Sequence, residues 1–452
     1  MLTRWYPTSN NKTWLLEGIV LAGSLPFLLF PNRYFVATFL ALLGLVFIET
    51  IPVLARWRPW PTPTTIDILL LLFSLTLGLA IFVSADPDLT LDKATGVLLG
   101  LFSLRYLLRT IDNPNFWYLA FIFFGLMGLG FVLLGILNAS WLTKIPLLTP
   151  VIERLPNQII SVPGQPDSGI HPNQIAGTLI FYFPLAWAGW FGQPKQNGRF
   201  LKSLWLALSL AATGALFLTQ SRSGWLGGAA ALYILVALWA LSLPQKTPQR
   251  RHLFILLGVI TLAGFGLLMA IGPDRLVALW QDPAQETAVG SLGSLGFRQE
   301  MWRWAIVVIQ DFSFTGVGLG SFRRVVRRLY PLGIDPGYDV AHAHNIFLHT
   351  AVDIGIPGLI IYLALIGLVL VLGWQAAKTN ARMRPYALGL TAGLAAFHIY
   401  GLGDVLALGS KTGLAFWFLI GLILTLQQIS QSTASTEGTP PSPLANHSPN
   451  PS

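Results

Sequence analysis

Residues 252–271 read HLFILLGVITLAGFGLLMAI. After His252 the run holds no ionisable side chain. Twenty residues of helix, rising about 1.5 Å each, reach about 30 Å, the thickness of a bilayer's hydrocarbon core. Backbone in hydrocarbon must satisfy its own N–H and C=O groups, which leaves helices and closed barrels. The run is continuously apolar rather than alternating, so it predicts a transmembrane helix. Lys246, Arg250 and Arg251 stand just before it, and residues 272–355 separate it from the next such run.

Working outward, the same pattern recurs. Twelve spans are predicted: 15–31, 34–54, 66–84, 94–108, 117–137, 173–191, 202–219, 224–243, 252–271, 356–373, 385–402 and 412–427. The composition agrees: the 452 residues are 54% hydrophobic and 10% charged, against about a quarter charged in soluble chains. Alternate short loops carry Arg56 and Arg58; Arg109; Lys195 and Arg199; Lys246, Arg250 and Arg251; Lys378, Arg382 and Arg384. The loop around Asp86, Asp88 and Asp92 is acidic instead. The positive-inside rule puts the basic set, and both termini, in the cytoplasm. It also accounts for the net charge of +9 without nucleic acid as a partner. The first span, behind Arg4 and Lys12, reads as a retained anchor rather than a cleaved signal.

The expectation is an all-α polytopic membrane protein. Residues 1–14 form a cytoplasmic start, 15–271 hold spans one to nine, and 272–355 form a large extracytoplasmic loop with interfacial helices. Spans ten to twelve occupy 356–427, and a disordered tail follows from 428 to 452, rich in Ser, Thr and Pro. The chain has no cysteine, which excludes disulfides, thiolate nucleophiles and cysteine metal sites.

The chemistry concentrates outside. The large loop holds Arg275, Arg298, Arg303, Arg323, Arg324, Arg327 and Arg328, and no lysine. Guanidinium binds phosphate through two bonds at once, so a membrane-proximal arginine set suggests a phosphate-bearing lipid. The 323–328 group falls on one side of a short helix and reads as a basic face for solvent or headgroups. In GFRQEMWRWAIVVIQDF (296–312) Arg298 and Trp302 lie one helical turn apart, and Met301, Ala305 and Val308 form an apolar stripe. The glycines of TGVGLGSF (315–322) follow. No strand precedes them, so they read as a turn that lets backbone approach another helix rather than as a nucleotide fingerprint.

AHAHNIFLHTAVDIGIPG (341–358) carries His342, His344 and His349. Imidazole titrates near neutrality and can take a proton from a sugar hydroxyl. Metal binding is disfavoured, because residues two apart on a helix face different ways and Asp353 is the one clear carboxylate nearby. Arg222 of SRSGW (221–225) sits at the outer end of the seventh span, where a charge needs a partner. In IHPNQIAG (170–177) Asn173 is expected to cap the sixth span.

Taken in order, the Asn of HPNQIAG, the Arg of SRSGW, the Arg of FRQEMW, GVGLGSF and HAHNIFLHTAVDIGIPG resemble the O-antigen ligase and polymerase superfamily, over about 172–358. The resemblance implies a C-type membrane glycosyltransferase using an undecaprenyl-diphosphate-linked glycan. Ligases pass it to the lipid A core, polymerases join repeat units, and other relatives glycosylate proteins. Carried over by position, Arg222 and Arg298 would hold the donor diphosphate and His344 would activate the acceptor hydroxyl. Asn173, His342, Asn345, Asp353 (where many relatives have Glu) and Arg303 are the candidate supporting residues, His342 being an extra histidine to which the resemblance assigns no role. Sugar on a diphosphate is already activated, so two arginines and a base would suffice, with no cofactor or obligate metal. The twelve-span layout favours a ligase. The main rivals are a transporter, since some relatives are labelled inorganic-carbon carriers, and a non-catalytic envelope scaffold. Transporters place ionisable groups at the bilayer midplane, whereas here Glu17, Glu49 and Arg105 lie near predicted span ends.

Overall fold

A computed structural model of the protein describes residues 13–54, 64–111, 113–139, 141, 143–145, 148–160, 170–192, 198–282, 293–334 and 340–437. Residues 1–12, the basic loop with Arg56 and Arg58, Lys195 and the tail from 438 lie outside these. Among the described residues the chain is helical, with one isolated bridge between Ala139 and Ile170. The helices are α1 (Thr13–Leu29), α2 (Phe35–Leu54), α3 (Thr65–Phe82), α4 (Pro87–Thr110), α5 (Pro114–Asn138), the single turn α6 (Thr149–Ile152), α7 (Pro172–Gly192), α8 (Gly198–Leu218), α9 (Arg222–Ser242) and α10 (Pro248–Ile271). They continue with α11 (Pro273–Gln281), α12 (Gly293–Asp311), α13 (Phe322–Leu329), α14 (Ile346–Thr379), α15 (Arg384–Tyr400) and α16 (Gly413–Glu437).

Each predicted span falls on one of these helices. Eight of the described helices are long and apolar enough to cross a membrane, and α1 and α2 contain shorter apolar stretches. The other two predicted spans fall on α4, which carries Asp88, Asp92, Lys93, Arg105 and Arg109, and on α15, which has 17 residues. Two boundaries move. The outer segment was expected to run to 355, but α14 begins at Ile346 and continues past a break at Ile354–Gly355. Pro357 lacks an N–H and crowds the carbonyl one turn back, while Gly355 (φ 75°) takes the left-handed turn. The freed Ile356 N–H donates to Ser313 O at 2.7 Å. The tail, read as disordered from 428, is helical to Glu437, because nothing interrupts the ladder before Gly438 and Pro440.

The core that positions the site is α15 against α7 and α9. Tyr400, buried at the end of α15, lies against Gly177 of α7 and Gly227 of α9, where any side chain would collide with it. Its hydroxyl donates to Asn173 O at 2.8 Å and pins the end of α15 to the start of α7. At the far ends of the first helices, Arg105 pairs with Glu49 (2.9 Å) and Asp67 (3.6 Å), and Arg109 with Glu17 (3.2 Å) and Glu49 (3.0 Å). These three acids and two bases form one charge network that ties α1 to α4 together at one end.

The apolar stripe of α12 is buried through Met301, Ala305 and Val308, with Phe322, Val325 and Val326 of α13 in the same cluster. The glycine turn between α12 and α13 presses onto α14. Gly316, Gly318 and Gly320 all have positive φ. Val317 N donates to Val352 O (2.8 Å) and Gly318 N to Asp353 O (3.2 Å). On the other side Ala85 N donates to Val317 O at 3.0 Å, and Arg324 pairs with Asp86 at 2.9 Å. The glycine turn and α13 are thus clamped between α4 and α14.

Candidate active site

Four helix ends meet at one mouth: the N-termini of α7, α9 and α14 and the C-terminus of α15. Helix N-termini carry partial positive charge, so the mouth suits an anion before any side chain is added. Its centre is Asp404, buried in the turn after α15. Oδ2 accepts from Asn173 Nδ2 and lies 3.5 Å from an Arg298 nitrogen, while Arg298 Nε donates to Gly403 O at 2.6 Å. Oδ1 accepts from Val405 N (2.9 Å) and lies 3.3 Å from His344 Nδ1 and 3.9 Å from His342 Nε2. Burial alone would raise the pKa of this carboxyl. The hydrogen bond from His344 and the positive charge of its neighbours, Arg298 among them, outweigh that and hold it below the usual carboxylate range.

His344 sits in the left-handed region (φ 50°), a costly conformation for a side chain-bearing residue that its surroundings enforce. Trp302 Nε1 donates to its carbonyl at 3.3 Å, its own N–H donates to His342 Nδ1 at 3.3 Å, and Phe297 packs edge-on against its ring. His344 Nδ1 is buried 3.3 Å from Asp404 Oδ1; the tautomer that carries its proton there leaves the lone pair on Nε2. His342 and His344 were expected on a helix, facing apart. They precede α14 in a bent segment instead, with ring centroids 4.2 Å apart. His342, His344 and Asp404 each bring one ligand atom within 4.8 Å of the others, a spacing that could hold a metal ion.

Positive charge collects around this carboxylate. Lys144 is largely buried and lies within electrostatic reach of Arg298, Asp404 and Arg222. Burial, then the charges of Arg298 and Arg222, pull its ammonium down to about 8. Arg222 opens α9 behind the N-cap Ser221 and lies close enough to Arg298 to feel its charge. Gln220, with φ 48°, accepts from Lys144 N (2.9 Å) and Ile145 N (2.8 Å), so the turn before α9 holds the lysine-bearing loop in place. His171 is pushed down to about 4 by burial and then by Lys144, and its neutral Nδ1 accepts from Asn173 N at 3.1 Å. Arg222, Arg298 and Lys144 against Asp404 leave two positive charges in excess.

The sequence-predicted residues divide. Arg222, Arg298, His342, His344 and Asn173 share this mouth. Asn173 is not the expected helix cap: α7 starts one residue earlier at Pro172, and its side chain reaches Asp404 instead. Asn345 is the N-cap of α14, accepting from Phe347 N and Leu348 N, and its amide donates to Leu402 O. Asp353 braces the glycine turn, accepting from Gly320 N at 3.2 Å with His349 3.5 Å away. Arg303 is exposed over the Trp304 ring, since five residues along α12 turn it away from the face of Arg298.

Residues 206–363, about a third of the chain, match the family model described as O-antigen ligase. The match makes this stretch similar to the O-antigen ligase domain and supports the resemblance to the O-antigen ligase and polymerase superfamily. No curated protein matches the chain. The matched stretch contains Arg222, Arg298, His342 and His344. Lys144, His171, Asn173 and Asp404 lie on either side of it, and the fold folds them back to the same mouth. Sequence reading missed Lys144 and Asp404. Lys144 did carry a signal, being a lysine in a loop on the side otherwise poor in basic residues. Asp404 carried little, one acid in a glycine-rich turn.

Proposed function

We propose that the protein is a membrane glycan ligase with twelve crossings and both termini in the cytoplasm. It moves a glycan from an undecaprenyl-diphosphate-linked donor to an acceptor hydroxyl at the periplasmic face of the bacterial inner membrane. The observation that carries the reading is the convergence of Arg222, Arg298 and Lys144 with the His344–Asp404 pair at one mouth of four helix ends. The family match supports glycosyl transfer as the chemistry.

Arg222, Arg298 and Lys144 hold the donor diphosphate, and their excess charge stabilises it as it leaves. Asp404 keeps Nδ1–H of His344 turned inward, and His344 Nε2 takes the proton of the acceptor hydroxyl as its oxygen attacks the anomeric carbon. The C–O bond to the diphosphate breaks as the new glycosidic bond forms. The positive excess that suits a diphosphate repels a free divalent cation, so the reaction proceeds without metal. A polymerase would use the same groups with a different acceptor. The test is transfer by the purified protein from a polyprenyl-diphosphate-linked glycan, in EDTA, comparing wild type with Arg222→Ala, Arg298→Ala and His344→Ala. Loss of transfer in all three, with the variants still inserted in the membrane, is the expected result; normal transfer by the arginine variants would refute the assignment. Solute uptake by liposomes without donor would favour a transporter instead.

A further inference from the structure

Two turns at the mouth share one design. In His171–Pro172–Asn173 the His171 Nδ1 accepts from the N–H of Asn173, two residues on, at 3.1 Å. In His342–Ala343–His344 the His342 Nδ1 accepts from the N–H of His344, again two residues on, at 3.3 Å. Asn and Asp close such turns with an oxygen bonded to Cγ; the Nδ1 of imidazole is also bonded to Cγ and takes that oxygen's place. The residue held in each turn faces the same carboxylate. Asn173 Nδ2 donates to Asp404 Oδ2, and His344 Nδ1 lies 3.3 Å from Asp404 Oδ1. Backbone beside each turn anchors it: Ile170 N donates to Asn138 O at 3.0 Å ahead of the first, and Ile346 N to Gly401 O at 2.7 Å behind the second. Nδ1 accepts only while it carries no proton, so both rings are neutral with their hydrogen on Nε2. Their neighbours favour that form: His171 feels the charges of Lys144 and Arg298, and His342 those of His344 and Arg298.

We propose that His171 and His342 are paired positioning residues, each closing a tight turn that aims the residue two places on, Asn173 or His344, at one oxygen of Asp404. The consequence for catalysis rests on the ligase reading above and deepens it; the turns themselves do not depend on it. His344 has φ 50°, a costly backbone for a residue with a side chain, and the N–H it gives to His342 helps to hold it there. Released from that bond, the backbone relaxes and the ring swings off Asp404. On the other side, releasing the Asn173 N–H frees its amide from Oδ2 and leaves that oxygen to Arg298. The arrangement also gives two uncharged acceptors a place in a mouth crowded with cations. With its Nδ1 lone pair taken by a backbone N–H, His342 presents Nε2–H to Asp404, 3.9 Å away. That tautomer disfavours the ion-binding use which the spacing of His342, His344 and Asp404 would otherwise allow.

The tautomers are read without any transfer reaction, by magic-angle-spinning NMR of the full-length protein in lipid bilayers with nitrogen-labelled histidine. The chain has seven histidines, and the signals lost in His171→Asn and His342→Asn assign the two rings. Both are expected in the Nε2–H form at neutral pH; an Nδ1–H or charged ring at either position overturns the inference. Kinetics then tests the positioning role. His342→Leu has no acceptor, whereas His342→Asn keeps one bonded to Cγ. The leucine variant is expected to lower kcat about tenfold or more with the donor KM within about twofold of wild type, and the asparagine variant to recover kcat to within about threefold. His171→Leu and His171→Asn should divide in the same way. A leucine variant as fast as wild type, or an asparagine variant as slow as its leucine counterpart, overturns the inference. Both rings in the Nε2–H form in a wild-type protein that transfers no glycan would leave the turns standing and bring down the ligase reading.

Discussion

Replacing Asp404 with Asn tests the centre of the site, because it removes one charge and almost no volume. The Arg298–Asp404 separation of 3.5 Å corresponds to a Coulomb attraction of about 5 kcal/mol at an effective dielectric constant of about 20. Desolvation of the buried carboxylate offsets much of that, but removing one partner leaves the other uncompensated. Breaking such a pair costs about 3–5 kcal/mol, and the low end applies here because Arg298 keeps its bond to Gly403 O. A loss of about 3 kcal/mol against thermal unfolding in detergent is expected. The effect on rate should be larger in proportion. Asn173 and Arg298 would claim the amide oxygen and turn its NH2 toward His344, favouring the other tautomer, and the loss of the equivalent carboxylate in hydrolytic triads slows turnover about 10⁴-fold. Single-turnover transfer from a lipid-linked donor should therefore fall about 10³–10⁴-fold. Donor affinity should hold or rise, since Arg298 is released toward the diphosphate. A folded Asp404→Asn protein working within about threefold of wild type would refute the argument, because a difference under about 1 kcal/mol leaves no room for a tautomer role.

Lys144 is pulled down to about 8, so it is charged at neutral pH and discharges as pH rises through that value. Affinity for an inorganic diphosphate probe should weaken above pH 8 with the slope of one proton, and Lys144→Met should remove that step; calorimetric titration from pH 6.5 to 9.5 checks it. Gly355→Ala places a Cβ 2.2 Å from Phe314 O at φ 75°, and should lower stability by about 2 kcal/mol or more, read as a fall in the unfolding midpoint. Glu49→Gln strips Arg105 and Arg109 of a shared partner, but Asp67 and Glu17 remain beside them, so it should destabilise by only about 1 kcal/mol while leaving the transfer rate of the folded fraction unchanged; a slowed rate would mean that this charge network reaches the mouth.

Much of the helical layout was legible because hydrocarbon leaves so few choices: an uncharged run such as 252–271 has one stable form. The stripe Met301–Ala305–Val308 was legible for a similar reason, as helical spacing puts the three on one buried face. Helix ends were harder. The start of α14 at Ile346 is set by Asn345 capping and by contacts with residues far along the chain, Gly401 O among them. The two histidines were misplaced because local spacing was read as helix where a bent, left-handed residue was needed. Asp404 was out of reach, since its meaning comes from Asn173, Arg298 and His344, which lie 60 to 231 positions away in sequence. Arg303 was read as a supporting residue beside Arg298, and the rotation of α12 turns it to another face.

The wiring of the mouth limits how such proteins can exchange parts. A transplant of residues 206–363 into a relative would deliver the arginines and the imidazole. It would leave behind the carboxylate beside the imidazole, the amide that grips that carboxylate and the lysine whose backbone N–H donates to Gln220. Donor and acceptor preferences should therefore be inherited together with the beginning of α7, the 141–145 loop and the turn after α15, and hybrids that split this set should be inert even when they insert and fold.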